Sequence, residues 1–266
     1  MSGEKKVDAV IIGAGISGMY QLHKLRKIGL TVKVYEGGTG VGGTWYWNRY
    51  PGARFDSESV SYGYSFSEEL LQEWNWKERF SPQPDNLEYL EYVADKFDLR
   101  KDIQFSTRVT SAHYGEEENE WSVATDDGQA IKCQFLITAV GVLSTPFVPE
   151  IKGLNSFQGA SWHTANWPKE HVGFEGKKVG VIGTGATAVQ LIQEVAKTAG
   201  QLTVFQRTAN FCKPLGNSLI SDDEQEEIKK NYSKIFQRCR ETFGSFLADF
   251  EKRSAFDVTP EEREAR

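Results

Sequence analysis

Two short glycine-rich loops, one near the start of the chain and one well into its second half, each follow an apolar run and precede a helical repeat. No other feature constrains the fold as much. The first loop reads Gly13, Ala14, Gly15, Ile16, Ser17, Gly18 after the apolar run from Val7 to Ile12. A G-x-G-x-x-G so placed predicts a buried strand, a tight turn and a helix start, where the backbone can approach a pyrophosphate and the helix N-terminus meets its charge. Met19, Leu22, Leu25 and Ile28 fall three apart and predict the helix, with Gly29 positioned to cap its end. Leu30 to Tyr35 then reads as a second strand ending at Glu36, 18 residues beyond Gly18. That is close to the roughly 20 residues expected before the acid that grips a ribose.

The second loop is Gly183, Thr184, Gly185, Ala186, Thr187, Ala188, after the strand-like run from Lys178 to Ile182. Alanine in the third glycine's place is an accepted variant. Val189, Ile192 and Val195 mark its helix, and the strand Leu202 to Phe205 ends in Gln206, Arg207 and Thr208 rather than in an acid. A carboxylate there would repel a 2′-phosphate, whereas a guanidinium forms charge-assisted hydrogen bonds with one. Loop one therefore suits a nucleotide with free ribose hydroxyls and loop two suits NADP. The expected fold class is α/β, with two Rossmann-like dinucleotide-binding domains and a helical extension.

Composition narrows the function. The chain has 266 residues, 39% hydrophobic and 26% charged, an ordinary globular mixture with room for two domains. Its net charge of −6 and lack of basic blocks disfavour nucleic acid as a partner. The stretch from Phe135 to Leu143 is too short for a membrane span, and the few residues before Val7 leave no room for a signal peptide. Cys133, Cys212 and Cys239 show no framework spacing and read as reduced thiols of a cytoplasmic protein. His23, His113, His163 and His171 make no metal-ligand cluster, so no metal is expected. No cysteine pair flanks either loop to accept electrons as a redox disulfide. Were a flavin on loop one and NADPH on loop two, dioxygen would be the simplest acceptor, which suggests a monooxygenase or an oxidase.

Between the loops lies a second glycine-rich run, Gly37 to Gly43, followed by Thr44, Trp45, Tyr46, Trp47, Asn48, Arg49, Tyr50 and Pro51. Such aromatics beside glycines suit the wall of a ring-binding site. Arg54 and Asp56 follow; their spacing fits a surface ion pair as well as a role in positioning a nicotinamide or tuning a flavin. Leu87, Leu90, Ala94 and Phe97 predict a helix with Asp85 as a possible cap. Ile103 to Tyr114, Glu120 to Thr125 and Ile131 to Val140 read as a three-stranded meander that returns to the first sheet. Pro146, Pro149 and Gly153 mark a crossing, giving a first domain over 1–147 and a second over 148–266. Ser221 to about Lys252 reads as one or two long amphipathic helices, opened by a Ser221 and Glu224 capping box. Thr259, Pro260, Glu261 and Glu262 open another helix that the sequence does not build before Arg266, which predicts a truncation or fragment.

The linker from Phe157 to Pro168 carries Phe157, Gly159, His163, Trp167 and Pro168. It resembles the F-x-G-x-x-x-H-x-x-x-W-P fingerprint of Baeyer–Villiger monooxygenases, flavin enzymes that insert an oxygen atom from dioxygen beside a ketone carbonyl to give an ester or lactone. The resemblance runs from Val7 to about Phe211 and includes the stretch from Gly42 to Arg54. It implies FAD on Gly13, Gly15, Ser17 and Gly18, with Glu36 on the ribose. Thr44, Trp45, Tyr46, Trp47, Asp56 and Tyr62 would line the FAD, and Val109 would meet its adenine end. It implies NADPH on Gly183, Thr184, Gly185, Ala186, Thr187, Ala188, Val189, Gln206, Arg207 and Thr208. Arg54 and Asp56 would lie near the flavin and nicotinamide and are the catalytic candidates, while His163 would couple domain movement to turnover. Phe55 stands where many members have a smaller residue. The family's active-site arginine and most of its substrate pocket come from a C-terminal region that this chain lacks, so Arg54 is not assigned that post. Two other readings stay open: a truncated nucleotide-binding protein without activity, and an uncoupled NADPH oxidase. Neither the ketone nor the oligomeric state is legible.

Overall fold

The computed structural model describes residues 5–212, 214–249, 253–254 and 256–264. In chain order the elements are β1 (Lys5–Ile12), α1 (Ile16–Lys27), β2 (Val32–Tyr35), the single turn α2 (Thr44–Trp47), α3 (Ser59–Tyr62), α4 (Glu68–Glu73) and α5 (Gln83–Lys96). There follow β3 (Ile103–Gln104), β4 (Val109–Gly115), β5 (Glu120–Thr125), β6 (Ala130–Thr138), β7 (Lys178–Ile182), α6 (Ala186–Val195), β8 (Gln201–Phe205), α7 (Asp222–Glu241) and α8 (Pro260–Glu264). They fall into two compact units, Met1–Arg54 with Pro82–Cys212, and Phe55–Ser81 with Lys213–Arg266.

Both sheets belong to the first unit. The larger has six strands in the order β3-β2-β1-β6-β5-β4, with β3, β2, β1 and β6 mutually parallel and β6, β5 and β4 antiparallel. β1 is the central strand: Ile11 stands in register with Val34 on one side and Ile137 on the other. Its Ala9, Val10 and Ile11 have no exposed surface, which is why the sequence there is apolar without alternation. The expected meander is present, and β6 returns it to β1.

α1 ends in a Schellman turn. The Gly29 N–H donates to the Arg26 carbonyl, the Leu30 N–H to that of Leu25, and Gly29 sits at φ 89°. Met19 and Leu22 are buried, but Ile28, expected on the same face, is the C-cap and exposed. α5 starts earlier than its periodicity suggests, with Pro82 as N-cap; Asp85 lies in the first turn, where it complements the helix dipole instead of capping.

The expected single strand from Ile103 to Tyr114 is two strands, at opposite edges of the sheet. Ser106 adopts φ 51°, its N–H donates to the Gly38 carbonyl, and the Thr107 N–H donates to the Glu36 carbonyl. The chain thus leaves β3, passes over the carboxyl end of β2 and only then enters β4.

The smaller sheet pairs β7 and β8 in parallel, with Val181 opposite Val204. Its core is Phe174, Val181, Leu191 and Val195, with Tyr50, Trp167 and Ile192 packed against it. The helical periodicity after the second loop therefore buries one face of α6 on β7.

In the second unit residues 77–80 run beside 217–220. The Arg79 N–H donates to the Ser218 carbonyl, the Ile220 N–H to that of Lys77, and the Phe80 N–H to Asn217 Oδ1. α7 begins with the expected capping box between Ser221 and Glu224 and buries Tyr232, which stacks on Phe236. Burial pushes the Tyr232 phenol up to about 12, against a hydrogen bond with Trp76. The helix stops at Glu241 rather than continuing toward Lys252: Thr242 is extended, its one hydroxyl proton is shared between the Phe246 carbonyl at 2.6 Å and the Cys239 carbonyl at 3.1 Å, and Ser245 turns at φ 58°. Phe250 and Lys252 lie outside the described residues. α8 opens as expected, the Thr259 hydroxyl accepting the Glu262 N–H.

Candidate functional site

The first loop leaves the carboxyl end of β1, where an open parallel sheet places its ligands. Neither α1 nor α6, the helices behind the two loops, carries a side-chain cap; α5 shares this but starts at Pro82, without a glycine loop before it, and α4 and α7 are capped. The positive end of each dipole is thus left for an anion. A Cβ on Gly18 would lie 1.9 Å from the Gly13 carbonyl oxygen, so the third glycine is demanded by the closure of the loop itself. Gly15 and Gly43 pack backbone to backbone, since a Cβ on Gly43 would come 2.8 Å from the Gly15 Cα. The two glycine-rich stretches therefore form one cradle.

Glu36 closes that cradle. One carboxylate oxygen accepts the Ala14 N–H and the other accepts the Gly38 N–H, each at 2.7 Å, and the residue is 6% exposed. A carboxylate has about four acceptor sites, so two are left for other donors such as ribose hydroxyls. The cradle fits a dinucleotide on three counts: an uncapped helix, a glycine floor and an acid with spare lone pairs. Arg108 lies over Gly37, where an added Cβ would be 3.3 Å from its guanidinium. Sequence reasoning missed it.

The aromatic run follows as α2. Trp45 is buried, and its carbonyl accepts from the Gln83 amide; Trp47 and Thr44 are exposed. The Tyr46 hydroxyl accepts the Thr39 N–H at 2.9 Å and lies 2.7 Å from the Thr39 hydroxyl. Its ring centroid lies 5.4 Å from the Arg49 guanidinium and 5.6 Å from the Lys169 ammonium. Burial raises the Tyr46 phenol, but the Thr39 hydrogen bonds and the Lys169 charge outweigh it and hold the group below its ordinary value.

At the second loop, Gly183 to Ala188 leads into α6. Gln206 Nε2 donates to the Thr184 hydroxyl at 3.1 Å, and Asn210, which sequence reasoning did not single out, donates to the Thr184 carbonyl. Arg207 and Thr208 are exposed just beyond β8. Added Cβ atoms on Gly183 and Gly185 would meet nothing within 4 Å, so this loop is open where the first is packed.

The remaining candidates are dispersed. The Arg54 backbone bridges to Pro82 and bonds the Gln190 side chain on α6. Asp56 and Tyr62 belong to the second unit, where Asp56 is exposed and the Tyr62 and Phe55 rings lie 3.9 Å apart. Val109 packs on the core around Val10 and Ile131. In the fingerprint, Trp167 packs into the core of the smaller sheet and Phe157 is exposed. His163 Nδ1 accepts the Ala165 N–H at 3.2 Å, so its ring proton sits on Nε2. Cys133 and Cys239 are buried, Cys212 is exposed, and all three are free thiols. Among the described residues no group of His, Cys, Asp or Glu is arranged to hold a metal, and no helix is long and apolar enough to cross a membrane.

Two glycine loops on parallel strands, one backed by an acid and one by an arginine, define an α/β protein with two Rossmann-like dinucleotide folds. The model of the flavin-binding monooxygenase-like family matches residues 4–214, and the chain belongs to that family. The resemblance to Baeyer–Villiger enzymes is matched by its relatives. The chain is 46% identical over 260 residues to acetone monooxygenase (methyl acetate-forming) of Gordonia sp. (strain TY-5), covering 98% of this chain and 49% of that protein. It is 46% identical over 266 residues to cyclohexanone 1,2-monooxygenase of Acinetobacter sp, covering 100% of this chain and 49% of that protein. The solved structure of OTEMO in complex with FAD and NADP superposes with a TM-score of 0.91 at 46% identity, over 97% of this chain and 50% of that one. The chain thus spans about half the length of the curated relatives it matches.

Proposed function

We propose that this chain holds FAD on its first glycine loop and NADP(H) on its second, as the nucleotide-binding half of a Baeyer–Villiger monooxygenase. The substrates are a ketone and dioxygen, the product is an ester or lactone, and the compartment is the cytoplasm. The observation that carries the reading is the pairing of two uncapped helix starts with opposite charges beyond their second strands: Glu36, buried and bonded to the first loop, and Arg207, exposed after β8. Residues 1–147 form the FAD domain in this reading and 148–266 the NADP domain, the boundary falling in the exposed stretch between the two sheets.

When bound, the flavin supplies the redox and oxygen-activating chemistry. The chain's own residues bind and orient. Gly13, Gly15, Ser17 and Gly18 receive the pyrophosphate at the α1 dipole, and Glu36 accepts from the ribose. Thr44, Trp45, Tyr46, Trp47, Asp56 and Tyr62 border the ring system, with Val109 at the adenine end. Gly183 to Val189, Gln206, Arg207 and Thr208 hold NADP(H), the guanidinium neutralising the 2′-phosphate. Arg54 and Asp56 sit toward the nicotinamide and flavin, and the fingerprint from Phe157 to Pro168 links the two halves.

The test is the visible spectrum of the purified chain after gel filtration, then with NADPH under anaerobic conditions. A bound flavin that NADPH bleaches and air restores supports both assignments. Ester formation from a ketone, matched to NADPH consumed, separates the monooxygenase from an NADPH oxidase that yields hydrogen peroxide. A colourless chain that takes up no added FAD would refute the first assignment.

A further inference from the structure

Gln190 lies on α6, just over one turn beyond the N-cap Gly185 of the second loop. Its side-chain oxygen accepts the Tyr50 hydroxyl at 2.8 Å and the Arg54 N–H at 3.3 Å, and its Nε2 donates to the Arg54 carbonyl at 3.1 Å. The amide orientation is settled by Arg54, because the flipped form would turn its NH2 toward the Arg54 N–H and its oxygen toward the Arg54 carbonyl. One glutamine thus bonds both backbone groups of Arg54. Gly52 brings the segment within reach: it adopts φ 81°, and a Cβ there would lie 2.6 Å from the Gln190 carbonyl oxygen. Tyr50 anchors the other end by packing into the core of the smaller sheet. The Tyr50–Arg54 segment follows directly on the aromatic run of the first site, while α6 is the helix of the second.

We propose that Gln190 is a positioning residue that ties the Arg54 backbone to the helix of the second glycine loop, so that a dinucleotide bound at that loop tightens the hold on Arg54. The coupling rests on the reading of that loop as an NADP(H) site; the anchoring does not. A phosphate at the α6 N-terminus supplies acceptors to the uncapped first turn and stiffens it. Gln190 follows within that same helix, and its three hydrogen bonds carry the stiffening to Arg54.

Hydrogen exchange of the 266-residue chain, read at the Arg54 amide with NADP+ as the probe, tests this. Without nucleotide, Q190A speeds exchange of that amide by about tenfold, the order expected when a net hydrogen bond is lost. Q190L, of similar length but with neither donor nor acceptor, speeds it likewise and serves as the probe if Q190A does not fold. Wild-type exchange rates in both variants would overturn the anchoring. With NADP+ added, Arg54 gains protection in the wild type but not in Q190L, although both bind NADP+ with affinities within about threefold. Equal protection in the two would overturn the coupling alone. A wild-type chain that binds no NADP+ in a parallel titration would overturn the cofactor assignment and the coupling together, and the nucleotide-free arm would still decide the anchoring.

Discussion

Replacing Glu36 with glutamine separates the structural work of this acid from any work on a ligand. Its two oxygens each accept one backbone N–H at 2.7 Å, in a residue only 6% exposed. Glutamine keeps one acceptor and turns an NH2 toward the other donor. Leaving a buried donor unsatisfied costs about 1–3 kcal/mol, and the surviving bond, now neutral instead of charge-assisted, loses about 1 kcal/mol more. The sum is about 2–4 kcal/mol, which lowers the melting temperature by roughly 5–15 °C for a unit of this size. The assay is thermal unfolding of the wild type and Glu36→Gln without nucleotide, repeated with saturating FAD. The loss is expected in full before FAD is added. Were the two proteins to melt together without FAD and diverge only with it, the carboxylate would act on the ligand alone and the reasoning would be wrong.

Other consequences can be checked by similar means. Gly18→Ala places a methyl within 1.9 Å of the Gly13 carbonyl oxygen, so the loop must open; the variant is expected to lose flavin binding outright, and retention of wild-type affinity would count against the cradle. Arg207→Ala removes the guanidinium proposed to meet a 2′-phosphate, and should weaken NADPH by about 10–100-fold while leaving NADH nearly unchanged, as calorimetric titration would show. Asp8 accepts the Thr31 hydroxyl at 2.6 Å and the Thr31 N–H at 2.7 Å, and these bonds hold its carboxyl below the ordinary value. A depressed carboxylate contributes stability above its unfolded pKa and loses it as pH falls through the folded one. The gap in stability between wild type and Asp8→Asn should therefore be full near neutrality and close in acid; a gap independent of pH would contradict the assignment.

The parts of the candidate site that were legible in the sequence are those whose signal is local. Gly13 to Gly18, Glu36 and Gly183 to Ala188 announce themselves because strand, turn and helix follow within one stretch of chain, and the fingerprint ending in Trp167 and Pro168 is contiguous. The break at Ser106 was not legible, since a serine at positive φ carries no glycine to betray it, and its cause is a hydrogen bond to Gly38. Gln190 lay hidden for a different reason. Its partner Arg54 is 136 residues away, and a glutamine on a helix reads as surface until the fold brings that backbone to it. The pairing of 77–80 with 217–220 has the same character, with Phe80 and Asn217 separated by 137 residues. In α7 the periodicity was visible but its end was not, because Thr242 stops the helix through carbonyls that only the folded chain presents.

The contrast between the two loops is one of preorganisation. In the first, buried carboxylate bonds and glycine packing hold the backbone in place before any ligand arrives. A nucleotide entering it would therefore pay little of the roughly 1–2 kcal/mol per residue that ordering a loop costs. The second loop is tied by the Gly183 N–H to the Phe205 carbonyl and by the exposed Gln206 and Asn210 contacts to Thr184, with open space around its glycines. What binds there must do more of the ordering itself. The first loop is shaped before it is filled and the second is left to be shaped by what fills it, a division already drawn in how the chain packs its glycines.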